Sequence, residues 1–329
     1  MRTNVITTST PEERAKAHSE AAELLRKGET VALPTETVYG LAADSLSPLA
    51  VVKVFEAKGR PRFNPLIIHL PDRTWLEKIA VLPRPDRQLI LKLAEEFWPG
   101  PFTMILPKRR IVPEIVTAGL DTVAVRISAH PVFSQIVQAF AKPVAAPSAN
   151  RFGRVSPTTA QHVLNELKGR ISLIVDAGPT QHGIESTIIA IRDGKIDILR
   201  RGPVTSEQLS AFASIDIVTS GKSISAPGQL PSHYAPKTPL QLIDHARSFS
   251  AKSSQRCALL AWNVTEEDKR FVAIRYLSQH QELHQAAANL FRHLRELDEL
   301  NVDLIVAERV PSHGLGAAIN DRLQRAAAK

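Results

Sequence analysis

The run TSGKSISAPGQLPSHYAPKTP, residues 219–239, constrains this chain more than any other feature. Gly, Ser and Pro dominate it, and four prolines fall in its last thirteen residues. Proline removes a backbone donor and glycine costs ordering entropy, so such a run neither continues a helix nor lies inside a sheet. It reads as a linker, with one oddity: His233 and Tyr234 stand among the prolines. A chain of 329 residues has the length of about two domains, and the pattern restarts after the linker. The expected division is 1–215, a linker over 216–239, and 240–329.

Before the linker, short apolar runs alternate with helical patterns. Thr10-Pro11-Glu12-Glu13 makes a capping box with Pro at the first helical position, and the helix runs to Lys27 ahead of Gly28. Strand-like runs follow at 30–33, 66–70, 102–106, 122–127, 144–146, 171–176 and 187–191, with helical spacing at 86–97, 133–140 and 159–167. Many strands end in Pro, Gly, Ser or Asn, the pattern of an α/β domain whose loops carry the chemistry. Thr205-Ser206-Glu207-Gln208 opens a short helix ending near Phe212. After the linker, 240–243, 257–262, 271–277 and 302–307 read as strands, and 282–300 and 315–328 as helices. Leu283, Ala287, Leu290, Leu294 and Leu297 recur at helical spacing. This is a smaller α/β module with a parallel open sheet. No internal repeat relates the two halves.

Composition excludes several classes. With 43% hydrophobic and 22% charged residues, the chain is neither disordered nor fibrous. No apolar run approaches 18 residues, the N-terminus lacks the apolar core of a signal peptide, and the expected location is the cytosol. The single cysteine, Cys257, excludes an internal disulfide framework and a multi-cysteine zinc site, and reads as a buried small hydrophobe. The net charge of +8 suits anionic partners and equally suits simple solubility. Gly221-Lys222-Ser223 lacks the earlier glycine of a phosphate loop, since Asp216 stands there. Gly314-Leu315-Gly316 lacks the third small residue of a dinucleotide fingerprint. His280 and His284 have helical spacing, but Glu282 sits one place late for a metalloprotease, so they read as an exposed helix start. No serine-hydrolase elbow is present. No metal ligands are assigned.

Five polar clusters remain in the first domain: Pro34-Thr35-Glu36-Thr37-Val38-Tyr39-Gly40-Leu41; Lys58-Gly59-Arg60-Pro61 with Asn64 and His69; Thr122 to Arg126; Pro147-Ser148-Ala149-Asn150 with Ser156; and Gly183-Ile184-Glu185-Ser186-Thr187 with Arg200 and Gly202. Singly, each has a dull explanation as a turn, a cap or a solvated loop. Together they set Lys, Arg, Ser, Thr, Asn and His at strand ends with few acids, a set suited to polyanions and small oxyanions.

In that order, PTETVYGL, KGRPRFNPLIIH, DTVAVR, PSAN with SPT, GIESTI and LRRG resemble the YrdC-like domain. PGQLPSHYAP and LGAAINDRLQRAA resemble the two-domain members of that family, the threonylcarbamoyl-AMP synthases of tRNA modification. The resemblance covers nearly the whole chain. It departs at Arg151-Phe152, where relatives carry small residues, at Arg201, where they carry Pro, and at Gln229-Leu230.

The resemblance implies a twisted α/β sheet with a large concave basic cavity, and a smaller Rossmann-like α/β domain joined by a linker that closes over it. It implies that L-threonine, bicarbonate and ATP give threonylcarbamoyl-AMP and pyrophosphate, with Mg2+ on the phosphates. A downstream complex then transfers the group to tRNA, and weak RNA binding is a possible accompaniment. By motif, Lys58, Arg60, Ser148 and Asn150 are the catalytic set. Lys58, Arg60, Asn64, Thr122, Ser148, Ser156, Arg200 and Tyr234 are assigned to ATP, with Arg200 favoured over Arg201 by register and His233 assisting. Thr35, His69, Arg126, Ala146 and Ser186 are assigned to threonine, with Arg126 on its carboxylate. Two other readings stand beside this one. A non-catalytic RNA-binding module fits the charge but not the 5% aromatic content. A carbamoyl-transfer enzyme would carry further domains.

Overall fold

The computed structural model describes residues 2–218, 234–252, 254–263 and 268–328. The linker expected at 216–239, with His233, therefore lies largely outside the described residues. The strands of the first domain are β1 (Asn4–Thr7), β2 (Val31–Leu33), β3 (Gly40–Asp44), β4 (Ile67–His69), β5 (Phe102–Pro107), β6 (Thr122–Arg126), β7 (Val144–Ala145), β8 (Leu173–Asp176), β9 (Thr187–Arg192), β10 (Lys195–Arg200) and β11 (Ile215–Ile217). Its helices are α1 (Pro11–Arg26), α2 (Pro48–Lys58), α3 (Leu76–Ile79), α4 (Arg87–Phe97), α5 (Glu114–Thr117), α6 (Pro131–Phe140), α7 (Ala160–Leu167) and α8 (Ser206–Leu209). The second domain holds β12 (Leu240–Ile243), β13 (Cys257–Ala261), β14 (Phe271–Tyr276), α9 (Leu283–Asp298), β15 (Leu304–Glu308) and α10 (Leu315–Ala327).

The local rules operate as the sequence suggests. Thr10 and Glu13 form a reciprocal capping box with Pro11 in the first turn. Helix α2 begins at the Ser47 cap and ends at Gly59, whose left-handed φ of 59° suits a residue without a Cβ. Two elements need signals beyond apolar runs. Strand β10 follows β9 through Asp193-Gly194, both at positive φ, which is the two-residue hairpin turn matched to strand twist. Strand β3 lies inside the polar PTETVYGL cluster and its extension.

The first sheet runs β1-β8-β2-β3-β7-β4-β6-β5-β9-β10-β11 and mixes parallel with antiparallel pairs. Its register sorts the side chains. Ile67 pairs with Ala124 and His69 with Arg126 in the parallel β4–β6 pair. Strand alternation then puts Ile67, His69, Thr122, Ala124 and Arg126 on one face. Ile68, Val123 and Val125 face the other way, into the main core with Val51, Val54 and Phe55 of α2. The first face carries only a thin apolar floor of Ile67, Ile105, Ala124, Ile188 and Leu199. One face is thus thickly packed, and the other is left to polar groups.

The second sheet, β12-β15-β13-β14, is wholly parallel, and Cys257 is buried in it. Helices α9 and α10 pack on it in a core that also takes in Tyr234 and, from the first domain, Val38, Val155 and Ile184. The domains therefore share apolar contacts. A Cβ on Gly183 would meet the Ala287 carbonyl of α9 at 2.5 Å, so only glycine lets the two backbones approach here.

Candidate active site

The polar face of the sheet opens on a narrow hollow lined by Val38, Arg60, Ala146, Ser148, Glu185 and Arg200 of the first domain, among others, and by Tyr234 from the end of the linker. Each wall is delivered by a strand end. The loop after β2 is wound on Thr35, whose hydroxyl donates to the Val38 carbonyl at 2.6 Å and accepts from the Thr37 and Val38 amides. That turn aims Glu36 and Thr37 inward. The loop after β7 lies alongside: the Leu41 amide donates to the Pro147 carbonyl at 2.7 Å, and the Ala149 amide to the Tyr39 carbonyl at 2.8 Å.

Lys58, at the end of α2, is buried, and its ammonium donates to the carbonyls of Ser148 and, at 2.6 Å, Asn150. Burial, and then the charge of Arg60, pulls its pKa well down. Arg60 donates to the carbonyls of Asn64 at 3.3 Å and Pro65 at 2.8 Å. Burial lowers its pKa to about 9, so it stays cationic at neutral pH. Arg200, at the end of β10, grips Ser186 through both its carbonyl and its hydroxyl at 3.0 Å, and the Ser186 hydroxyl meets Thr103 at 2.8 Å. Arg200 lines the hollow, whereas Arg201 turns its carbonyl to the second domain.

Two buried acids, Glu36 and Glu185, belong to the site, and sequence reasoning left them without a role although both stand in the quoted clusters. Glu36 pairs with Arg126 and accepts from the Ser128 hydroxyl; Arg126 also donates to Thr37 at 3.3 Å. Burial pushes the Glu36 carboxyl up, but Arg126 and Ser128 outweigh it and hold the carboxyl low. Glu185 accepts from the Ser156 hydroxyl at 2.5 Å and from Arg322 of α10 at 2.8 Å.

The telling feature is what lacks a partner. Buried polar atoms are nearly always hydrogen-bonded. Among the described residues, both amide atoms of Asn64, both ring nitrogens of His69, Nε of Arg126 and Oδ1 of Asn150 are buried without one; single atoms of His18, His130, Thr180 and Arg295 are orphaned elsewhere, but only here do several converge. Burial, then the nearby Arg126 charge, drives the His69 pKa far down, so its ring is neutral. None of the four lines the hollow itself: Asn64, His69 and Asn150 stand one or two residues along the chain from Pro65, Ile67 and Ser148, which do, and Arg126 pairs with Glu36 behind it.

The structure brings most of the expected residues together. Arg60, Ala146, Ser148, Arg200 and Tyr234 form the wall, with Lys58, Asn64, His69, Arg126, Asn150, Ser156 and Ser186 immediately behind. The Thr35 hydroxyl is engaged in its own turn. Thr122 shares the face of Arg126 but lies at the other end of β6, about 13 Å away at strand rise. Arg322, buried against Glu185, carried no signal except its place in LGAAINDRLQRAA. Among the described residues, no group of three or more His, Cys, Asp or Glu gathers to hold a metal ion. A larger cleft of about 770 Å3 opens between the domains; Arg295 is there paired with Glu166 but keeps an orphaned Nε, and Asp298 accepts from the amides of Lys237 and Thr238. The expected residues gather at the smaller hollow, not at this cleft.

A two-domain α/β protein with a cationic hollow, neutral donors and orphaned buried groups is a binder of small anionic ligands. The comparisons give the family. The profile described as "Telomere recombination" (Sua5_yciO_yrdC) matches residues 23–202, and "Threonylcarbamoyl-AMP synthase, C-terminal domain" matches 204–328. The chain is 39% identical over 320 residues to the threonylcarbamoyl-AMP synthase of Pyrococcus abyssi, covering 93% of this chain and 92% of the relative. It is 41% identical over 325 residues to that of Bacillus subtilis, covering 94% and 92%. P. abyssi Sua5 complexed with L-threonine superposes with a TM-score of 0.88 at 36% identity, covering 99% of this chain and 98% of that one. A variant of P. abyssi Sua5 with a His and a Tyr replaced by Ala gives 0.89 at 34% identity, covering 99% and 96%. The chain belongs to the threonylcarbamoyl-AMP synthase family, in its two-domain form.

Proposed function

We propose that the protein condenses L-threonine, bicarbonate and ATP to threonylcarbamoyl-AMP and pyrophosphate, for transfer to tRNA by a downstream complex in the cytosol. The observation that carries this reading is the set of partnerless buried polar atoms beside Arg60 and Arg200. Such groups cost stability unless a ligand satisfies them.

The reaction runs in two steps. The threonine amine adds to bicarbonate and loses water, giving an N-carboxylate. An oxygen of that carboxylate attacks the α-phosphorus, and the α–β bridging oxygen leaves with pyrophosphate. No protein nucleophile is needed; the demands are alignment, charge neutralisation and exclusion of water. Arg60 and Arg200 take phosphate oxygens, since a guanidinium offers a planar fork of donors. Lys58 holds the loop that presents Ser148 and Asn150. Arg126 has Nε for the threonine carboxylate. Neutral His69 and Asn64 hydrogen-bond the remaining polar groups of threonine and nucleotide, with Ala146 shaping the threonine end. Ser156, bonded to Glu185 in the wall of the hollow, faces the nucleotide, and Thr122 at the far end of β6 has no part in the hollow. With the carboxylates of Glu36 and Glu185 engaged by arginines, a magnesium ion would be carried on the triphosphate, where it would neutralise phosphate charge.

Space between the walls is about 50 Å3, room for one or two waters. Tyr234 must therefore withdraw for the nucleotide to enter, and its return caps the site. The test is incorporation of isotope from labelled bicarbonate into a product that requires both threonine and ATP, with one pyrophosphate per product. RNA binding without that product would support the non-catalytic reading instead.

A further inference from the structure

Arg322 is the largest side chain of the described residues to be fully buried, at 0% exposure on α10. A guanidinium that far from water needs compensation. Its fork leaves its own domain. Nε donates to Glu185 at 2.8 Å and Nη2 to the Arg201 carbonyl at 2.9 Å, while Nη1 turns back to Asp321 at 2.7 Å. The other Glu185 oxygen takes the Ser156 hydroxyl. The Tyr234 ring lies 5.0 Å from the guanidinium.

Glu185 stands in the wall of the hollow. A carboxylate there opposes a triphosphate, or draws on Arg200, the next cation whose charge acts on it after Arg322. The counter-charge comes from the second domain. It also sets the carboxylate oxygen that orients Ser156.

We propose that Arg322 is a positioning residue of the nucleotide site: it cancels the Glu185 charge across the domain interface and orients Ser156, so nucleotide affinity depends on the docked second domain. The proposal rests on the adenylating reading above. The coupling is reciprocal, so nucleotide binding tightens the interface by the same factor.

The test is calorimetric titration of the full chain with α,β-methylene-ATP and, separately, with L-threonine. Arg322→Met should weaken the nucleotide about 10- to 100-fold and threonine far less. Glu185→Gln, which leaves the arginine in excess, should tighten the nucleotide. The pair Arg322→Met/Glu185→Gln should return nucleotide affinity to within about threefold of the original. Arg322→Lys, which keeps the charge without the fork, should fall between. A merely structural arginine gives no rescue in the pair and no opposite signs. Unchanged nucleotide affinity in Arg322→Met, or a pair as weak as that variant, overturns the proposal. If Arg322→Met does not fold, the sign of Glu185→Gln decides: tighter supports the proposal, weaker overturns it. A parent chain that binds neither ligand would instead remove the adenylating reading.

Discussion

Both domains bury a carboxylate at the end of a β-strand or in the loop leading to one, and the surroundings differ. In the second domain, Glu308 ends β15 and is fully buried. It accepts from the amides of Ala246 at 2.6 Å and of Trp262 and Asn263 at 2.9 Å. Among the described residues, no buried side-chain atom around Glu308 lacks a partner. In the first domain, Glu36 and Glu185 are equally buried, but the residues around them keep orphaned groups: Asn64, His69, Arg126 Nε and Asn150 Oδ1. The same α/β architecture thus builds one junction that is complete and one that awaits a ligand. Satisfaction of buried polar groups, rather than charge or cavity size, separates the two.

The contrast is broken most severely at Lys58. Lys58→Ala removes the ammonium that ties down the Ser148 and Asn150 carbonyls, and adenylate formation should fall by about 10²–10³ in rate. A steady-state pyrophosphate assay reads this. Full activity in the variant would remove Lys58 from the site.

Glu308→Ala should do the opposite. It orphans three buried amides, at about 1 kcal/mol or more each, so stability of the second domain falls by about 3 kcal/mol. Threonine affinity of the folded protein should stay unchanged. Chemical denaturation and titration calorimetry separate the two quantities.

A finer distinction comes from His69. Its folded-state pKa is far below the ordinary value, so the unfolded chain binds a proton below about pH 6.5 that the native ring refuses. Stability therefore falls as pH drops below that point. His69→Phe should flatten this slope by up to about 1.4 kcal/mol per pH unit while impairing threonine binding. An unchanged slope would mean that the ring titrates normally.

The smallest effect belongs to a pair outside both junctions. Lys27 and Glu23 meet at 2.6 Å but are exposed, so Lys27→Ala should change stability by less than about 0.5 kcal/mol. A larger loss in thermal unfolding would show that surface pairs matter here.

Much of this was legible in the residues. The Thr10 capping box, the helical leucines of α9 and the parallel second sheet follow from local pattern. The gathering of Lys58, Arg60, Ser148, Asn150 and Arg200 does not follow from local pattern: it was expected only because their motifs, in order, resemble the YrdC-like domain. What escaped depends on tertiary partners. Helix α2 carries a β-branched run, and strand β3 hides in a cluster of polar residues. The Asp193-Gly194 turn was a signal for β10 that apolar runs alone did not exploit. Arg322 looks like any helical arginine until the fold sets it against Glu185, more than a hundred residues earlier. Glu36 looks like a loop acid until the fold sets Arg126 of β6 against it.

The central claim is that orphaned groups beside a cationic wall hold threonine and nucleotide together. Calorimetry of L-threonine binding, with and without saturating α,β-methylene-ATP, tests it most directly in the parent chain and in Arg126→Met. The account predicts one threonine per chain, tighter with nucleotide present, and no measurable threonine binding in the variant. Equal threonine affinity in the two proteins would contradict it.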